Sequence, residues 1–222
     1  MSSDFGPVDQ PEDADFILAS ASPRRQQLLS SMRTRFRVVP ADIDETPTPD
    51  ECPSEYVLRM ARGKAEAVYR RSADRDSSGR RLPVLGADTA VIAPAKKSAG
   101  EHIFGKPESE DHAVEMLMAL SGKPHRVLSA LAVVAGDTTA PMSESRLVET
   151  EVTFRVLSES ECHAYWRSGE PKGKAGAYAI QGLGSIFVTH LVGSYSSVVG
   201  LPVAETYTLL QTYNIPCGLS GL

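Results

Sequence analysis

The sequence is poor in cysteine: Cys52, Cys162 and Cys217 are the only three among 222 residues. They are widely spaced and form no CxxC pair, which excludes a disulfide framework and a zinc cluster and fits a reducing compartment. A cytoplasmic protein is expected. Basic charge is not in excess either: 23 Lys and Arg stand against 28 Asp and Glu, a net charge of -5. No broad basic face for a nucleic-acid polymer is therefore expected. No apolar run approaches the roughly 20 residues that span a bilayer, so a membrane partner is not expected. Residues 1–15 are acidic and polar, lack the apolar segment of a signal peptide and read as a disordered tail. Gly-x4-Gly-Lys-Ser/Thr is missing, and Gly173-Lys174-Ala175-Gly176 has neither its spacing nor its hydroxyl, which excludes a P-loop. Gly-x-Ser-x-Gly is missing too, which argues against a serine hydrolase. His102, His112, His125, His163 and His190 are scattered without ligand spacing and read as structural or surface residues.

With 41% apolar residues and no internal repeat, the chain can bury a full core. Residues 16–215 are expected to form a single domain. Strand and helix patterns alternate, as in an α/β fold. Strands are expected at 16–19, 36–39, 84–87, 127–134 and 186–188, with a half-exposed strand through Val152, Phe154 and Val156 and a hairpin at 94–100. Helices are expected at 24–31, 54–71, 109–120 and 202–211, and Ser158 with Glu161 makes a capping box for one more, which Gly169 stops. The stretches 72–81 and 136–146 read as long surface loops.

Chemistry concentrates in a few places. Leu18-Ala19-Ser20-Ala21-Ser22-Pro23-Arg24-Arg25 ends an apolar run in two hydroxyls, a first-turn proline and two guanidinium groups. A helix N-terminus leaves N–H groups unpaired and favours an anion, and two arginines add donors suited to phosphate. In the 54–71 helix, Val57, Met60, Ala61, Ala65 and Val68 recur at spacings of three and four, and Lys64 lies on the same stripe. Its ammonium must snorkel to the edge or meet an anion. Gly86-Ala87-Asp88-Thr89 closes a short apolar run and places a carboxylate at the end of a core strand, where open α/β sheets bind ligands. Asp88 reads as a metal ligand, a water-orienting base or a simple turn residue. Asp42-Ile43-Asp44-Glu45 reads as an oxygen donor set for Mg²⁺ or Mn²⁺ or as a solvated turn. Gly105-Lys106-Pro107 offers another ammonium, and the segment from Lys172 to Gly182 combines two lysines, small residues and Gln181. Arg24, Arg25, Lys64, Lys106 and Lys174 set against Asp88 and Glu45 suit a polyphosphate held with a divalent metal.

Ser20-Ala21-Ser22-Pro23-Arg24-Arg25, Gly86-Ala87-Asp88-Thr89, Gly105-Lys106-Pro107, Lys174-Ala175-Gly176-Ala177-Tyr178, Ile180-Gln181-Gly182 and Val199-Gly200-Leu201-Pro202 together resemble the signature blocks of the Maf, or septum-formation, family of nucleoside triphosphate pyrophosphatases. The resemblance implies an elongated mixed β-sheet flanked by helices, related to the inosine triphosphate pyrophosphatases, with a cleft between two lobes. It implies cleavage between the α and β phosphates of a nucleotide, a divalent metal and a homodimer. Asp88 then matches the family's proton acceptor and metal carboxylate, and Glu45 its second acidic residue. Ser20, Arg24, Arg25, Lys64 and Lys106 match phosphate-handling positions. Arg24, Thr89 and Gln181 look like the branch acting on dTTP and UTP, and a glutamine amide offers a pyrimidine edge both a donor and an acceptor. Ser197 departs from the pattern, since many relatives carry Asn there. The competing expectation is a nucleotide-binding regulator of cell division with little turnover, which has no need of Asp88, Glu45 and Lys106 together.

Overall fold

The computed structural model describes residues 11, 13–49, 51–93, 102–137 and 141–219. Seven strands alternate with six helices: β1 (Phe16–Leu18), α1 (Pro23–Ser31), β2 (Phe36–Val38), α2 (Pro53–Arg71), β3 (Val84–Ala93), β4 (His102–Phe104), α3 (Glu110–Leu120), β5 (Pro124–Gly136), β6 (Pro141–Phe154), α4 (Glu159–Arg167), β7 (Val188–Val192), α5 (Tyr195–Val199) and α6 (Val203–Thr212). The strands form one mixed sheet in the order β2-β1-β3-β5-β6-β7. β1 runs parallel to β2 and β3, and the remaining pairs are antiparallel.

Alternation along β3 sorts its side chains between two faces. One face meets α2, where Val57 and Ala61 pack on Ala90, Ile92, Leu128 and Ala130. The opposite face is covered in two parts. Phe16, Leu18, Leu29, Leu209 and Leu210 cluster beside β1, while Val91, Leu117, Leu120, Phe154 and Phe187 cluster on the far side, and Leu28 of α1 touches both. The apolar stripe read from 54–71 is buried as expected.

Between these two packed groups the edge of β3 is interrupted. β1 pairs with β3 only at Val84 and Leu85, and β4 pairs with it from Val91 onward, on the edge away from β5. Gly86 through Ala90 therefore have no strand partner on that edge among the described residues. The resemblance implies a cleft between two lobes, and this break is where the sheet edge leaves room for one.

The structure changes several expected boundaries. β3 continues to Ala93, so Asp88 and Thr89 sit inside a strand rather than at its end. The strand that does end there is the parallel neighbour β1. Residues 141–146 are the first part of β6, paired with β5 as far as Pro141 opposite Gly136, and not a loop. None of their side chains is buried, so pairing rests on backbone hydrogen bonds and leaves no apolar alternation to read. Ile186 and Phe187 close a 3-10 turn (Gly182–Phe187), and the strand begins at Val188. Val156 lies beyond β6 and is exposed. The hairpin at 94–100 falls outside the described residues, although β3 and β4, which flank it, pair antiparallel. At the N-terminus, Ala14 is buried and Asp15 holds Arg35 at 2.8 Å. No helix among the described residues is long and apolar enough to cross a membrane.

Gly86 sets how closely α2 lies on the sheet. A Cβ there would stand 2.2 Å from the Ala61 carbonyl oxygen and 2.8 Å from the Ala65 nitrogen, both rigid backbone. Gly86→Ala is expected to destabilise the fold by about 3 kcal/mol through overpacking, read as a lowered urea midpoint. A midpoint equal to the parent's would show that α2 can move away.

His125 supplies the clearest acid-sensitive element. Its Nε2 hydrogen-bonds Tyr178 Oη at 2.8 Å, and its ring stacks edge-on with Phe154 and Tyr178. Burial pushes the imidazole from its usual 6.5 down to about 4. The unfolded chain then takes up a proton that the folded protein refuses, so stability falls as pH drops below 6.5. Between pH 7 and pH 5 the unfolding free energy should fall by about 2 kcal/mol from this group, and His125→Gln should flatten that slope. An equally steep slope in the variant would assign the loss to other groups.

Candidate active site at a break in the sheet edge

Arg25 fills the interruption in β3. From the first turn of α1 its guanidinium donates Nη1–H to the Ala87 carbonyl at 2.8 Å and to Ser20 Oγ at 3.1 Å, and Nε–H to the Gly200 carbonyl at 2.9 Å. Nη2 makes a longer contact to Thr89 Oγ1 at 3.5 Å. A strand-edge carbonyl left open by β1 is thereby satisfied by a side chain. Thr89 extends the network: Ser129 Oγ donates to the Ser197 carbonyl at 2.7 Å, so it accepts the Thr89 hydroxyl proton at 3.0 Å. Ser20 Oγ accepts both Arg25 and the Ser22 N–H at 3.2 Å, which leaves its own proton for a ligand oxygen. Burial pulls the Arg25 guanidinium below its usual range, and the charges of Asp88 and Glu45 oppose that pull.

The other face of β3 carries the carboxylates. Lys64, on α2 directly over Gly86 and Asp88, donates to Asp88 Oδ1 at 2.7 Å and to Glu45 Oε1 at 2.6 Å. Lys64 and Asp88 are both nearly buried, each with 12% of its side chain exposed, so neither charge is left to water. The lysine on the apolar stripe therefore meets anions rather than snorkelling. Glu45 is held from behind by the Tyr56 hydroxyl, which donates to its backbone carbonyl at 3.0 Å. Burial acts to raise the Glu45 carboxyl, but the Lys64 hydrogen bond and the charges of Lys64, Lys106 and Arg25 outweigh it and hold the group below its usual range. Burial and the Asp88 and Glu45 charges push the Tyr56 phenol up to about 12.

A third group lies on the β4 side. Arg24 and Lys174 are both shifted toward the neutral form, first by burial; Arg24 is lowered further by Arg25, and Lys174 by Arg24. Cations that burial and each other disfavour gain most from an added polyanion. Glu170 acts on both in the opposite direction. The backbone of the 174–177 segment docks on the cleft wall, where Gly176 N–H donates to the Gly105 carbonyl at 3.1 Å. Gly176 has φ of +67°, and a Cβ on it would meet Val91 of β3 at 2.9 Å. Lys106, next to Gly105, is exposed and acts on Glu45 through its charge.

Among the expected site residues, Ser20, Arg25 and Thr89 form one hydrogen-bonded group. Lys64, Asp88 and Glu45 form a second, with Lys106 in electrostatic reach. Arg24 and Lys174 form a third. Gln181 is exposed and hydrogen-bonds none of them; it is joined to the site through the turn that follows it. Sequence reasoning passed over Ser129, Glu170 and Tyr165, and it did not foresee that the Ala87, Ser197 and Gly200 carbonyls organise the site. Since Ser197 contributes a backbone oxygen, its departure from Asn leaves the Ser129 bond intact.

A mixed sheet broken at one edge, with a carboxylate pair pinned by Lys64 and buried cations close by, defines an α/β protein with a charged site at the break. The family is plain from comparison: the Maf-like protein model matches residues 15–213, and the chain belongs to the Maf family. A protein of Pseudoalteromonas atlantica named dTTP/UTP pyrophosphatase is 48% identical over 199 residues, covering 90% of this chain and 97% of its own. Proteins of the same name from Nitrosospira multiformis and Saccharophagus degradans are 48% and 44% identical, covering 87% and 91% of this chain and 92% and 90% of their own.

Arg25→Lys removes the planar fork that joins β1, β3 and Gly200. One ammonium cannot reach all of these acceptors, so a loss of about 2 kcal/mol is expected in chemical denaturation. Thr89→Val should cost less, about 1 kcal/mol, since Ser129 keeps its bond to Ser197. Equal losses would place the weight on Thr89 instead.

Proposed function

We propose that this protein is a nucleoside triphosphate pyrophosphatase that hydrolyses dTTP and UTP to the monophosphate and pyrophosphate. The observation that carries the reading is the Asp88 carboxylate, fixed by Lys64 beside Glu45, with Arg25 and Lys106 in electrostatic reach of the pair. The relatives' shared name, dTTP/UTP pyrophosphatase, supports the same substrate class. Arg24, Thr89 and Gln181 support the pyrimidine branch.

Asp88 is the base in this reading. Lys64 takes its Oδ1, and Oδ2 has no protein donor among the described residues, so it is free to accept a proton from a water. That water attacks the α-phosphorus, the bond from that phosphorus to the α–β bridging oxygen breaks, and pyrophosphate leaves. Lys106, Arg24 and Lys174 offset the charge that develops on the departing oxygens, while Ser20 donates to a phosphate oxygen. Arg25 acts mainly by keeping Ser20 and the first turn of α1 in place.

Glu45 and Asp88 would hold a divalent Mg²⁺ or Mn²⁺. Among the described residues no group of three or more His, Cys, Asp or Glu side chains could cage a metal. Two carboxylates, each bound to Lys64 through one oxygen, instead fit a hard cation that completes its shell with water and phosphate oxygens. When bound, such an ion supplies charge neutralisation on those oxygens.

Asp88→Asn keeps the size of the side chain and removes the base. With Mg²⁺ or Mn²⁺ present, kcat on dTTP should fall by roughly 10³-fold, with the melting temperature close to the parent's. Pyrophosphate release at the parental rate would rule Asp88 out as the base.

A further inference from the structure

We propose that Glu170, held by Tyr165, is a positioning residue for base selection: it fixes the turn that presents Gln181. The proposal rests on the reading of Gln181 as the base-contacting residue.

The turn around Gln181 is short of restraints of its own. Gln181 stands at the head of the Gly182–Phe187 3-10 turn without a side-chain cap. Such a turn leaves its first N–H groups unpaired unless another group accepts them. Glu170 does so from outside: Oε2 accepts Leu183 N–H at 2.9 Å, and Oε1 accepts Gly184 N–H at 2.9 Å. Tyr165 Oη donates to the same Oε1 at 2.7 Å and accepts Ala179 N–H at 3.1 Å. Two side chains thus clamp the backbone on both sides of Gln181, at Ala179 and at Leu183 and Gly184.

Two glycines make room for the clamp. Gly182 has φ of +73°, and a Cβ on it would stand 2.4 Å from Glu170 Oε2. A Cβ on Gly184 would stand 2.2 Å from the Ala179 carbonyl oxygen and 2.6 Å from Tyr165 Oη. Any side chain at either position would push the carboxylate or the phenol off the turn.

Removing Glu170 should loosen base reading before it disturbs the chemistry, because Asp88, Lys64 and Glu45 lie on other elements and touch none of the clamp groups.

The test measures kcat and KM of the full-length protein with Mg²⁺ on dTTP and on dCTP, a pyrimidine with a different exocyclic edge. Glu170→Gln replaces one acceptor oxygen with a donor. It should raise KM for dTTP about tenfold, the worth of one hydrogen bond to a charged group, with kcat little changed. The ratio of kcat/KM for dTTP to that for dCTP should fall by the same factor. In a Gln181→Ala background the same substitution should leave the ratio unchanged, since there is no amide left to position. Tyr165→Phe removes one donor and keeps the carboxylate; it should move the ratio in the same direction by less, and it carries the test if Glu170→Gln fails to fold. Equal losses on both nucleotides, or full additivity with Gln181→Ala, would reduce Glu170 to a structural role and overturn the proposal. A parent that releases no pyrophosphate from dTTP or UTP would sink the functional reading and this proposal with it, whereas an active parent whose ratio ignores Glu170 sinks the proposal alone.

Discussion

A guanidinium completes the sheet where a strand stops. β1 ends after Leu18 and β4 does not begin to pair until Val91, so the edge of β3 between them presents a backbone carbonyl to the interior. An unpaired buried carbonyl is costly, and bringing a strand across would close the cleft. Arg25 resolves the conflict with a planar fork that reaches Ala87, Ser20 and Gly200 at once. Because its donors lie in fixed directions, it also sets the angle at which α1 leaves β1 and the place where the Gly200 turn comes to rest. The cleft stays open because one side chain does what a hydrogen-bonded strand would otherwise do.

The charges on the other face of β3 follow from the same opening. α2 approaches the sheet at backbone contact distance over Gly86, and Lys64 extends from it to Asp88 and Glu45. Burying a lysine against one carboxylate would be close to neutral in net benefit, since desolvation offsets the attraction. Shared between two carboxylates, it leaves a net negative charge at Asp88 and Glu45, which Lys106 and Arg25 oppose, while Arg24 and Lys174 gather positive charge on the β4 side. A polar environment oriented before substrate arrives needs no rearrangement at the moment of reaction. In the proposed reading, the folding constraint and the catalytic one are met by the same contacts.

Much of this was legible before the structure. Ser20 through Arg25 could be read as a strand ending in an anion-receptive helix start, because proline and paired arginines leave a strong local signal. Lys64 was legible as an anomaly: a charge on the stripe of Val57, Ala61 and Ala65 demands a partner. What could not be read were contacts to the main chain. Arg25 finds the carbonyls of residues 87 and 200, and Ser129 that of residue 197, and a carbonyl looks the same under every side chain. Asp88 was placed at a strand end because the apolar run stops there, yet β3 continues, since Ala90, Val91 and Ile92 are buried beyond the two polar positions. Glu170 escaped notice for a related reason. An acidic residue after Gly169 reads as a solvated turn, and only the folded chain shows three donors converging on it.

The two halves of the cleft are consequently built to different standards of rigidity. Asp88 and Thr89 belong to a strand paired with β5 along nearly its whole length, and Lys64 sits in the middle of a 19-residue helix packed over it. Displacing any of them means breaking the sheet or lifting α2. Gln181 by contrast hangs on a single 3-10 turn whose first N–H groups are satisfied by one carboxylate. Local opening free energy falls as the number of buried contacts falls, so this turn depends on its Glu170 and Tyr165 contacts more than β3 and α2 depend on any one residue. In the proposed reading, the reacting groups take their geometry from the sheet and α2, while the Gln181 turn takes its geometry from Glu170 and Tyr165. Under the same reading, substitutions in the 179–184 turn would act on which nucleotide is accepted, whereas substitutions at Asp88 or Lys64 would act on whether any is hydrolysed.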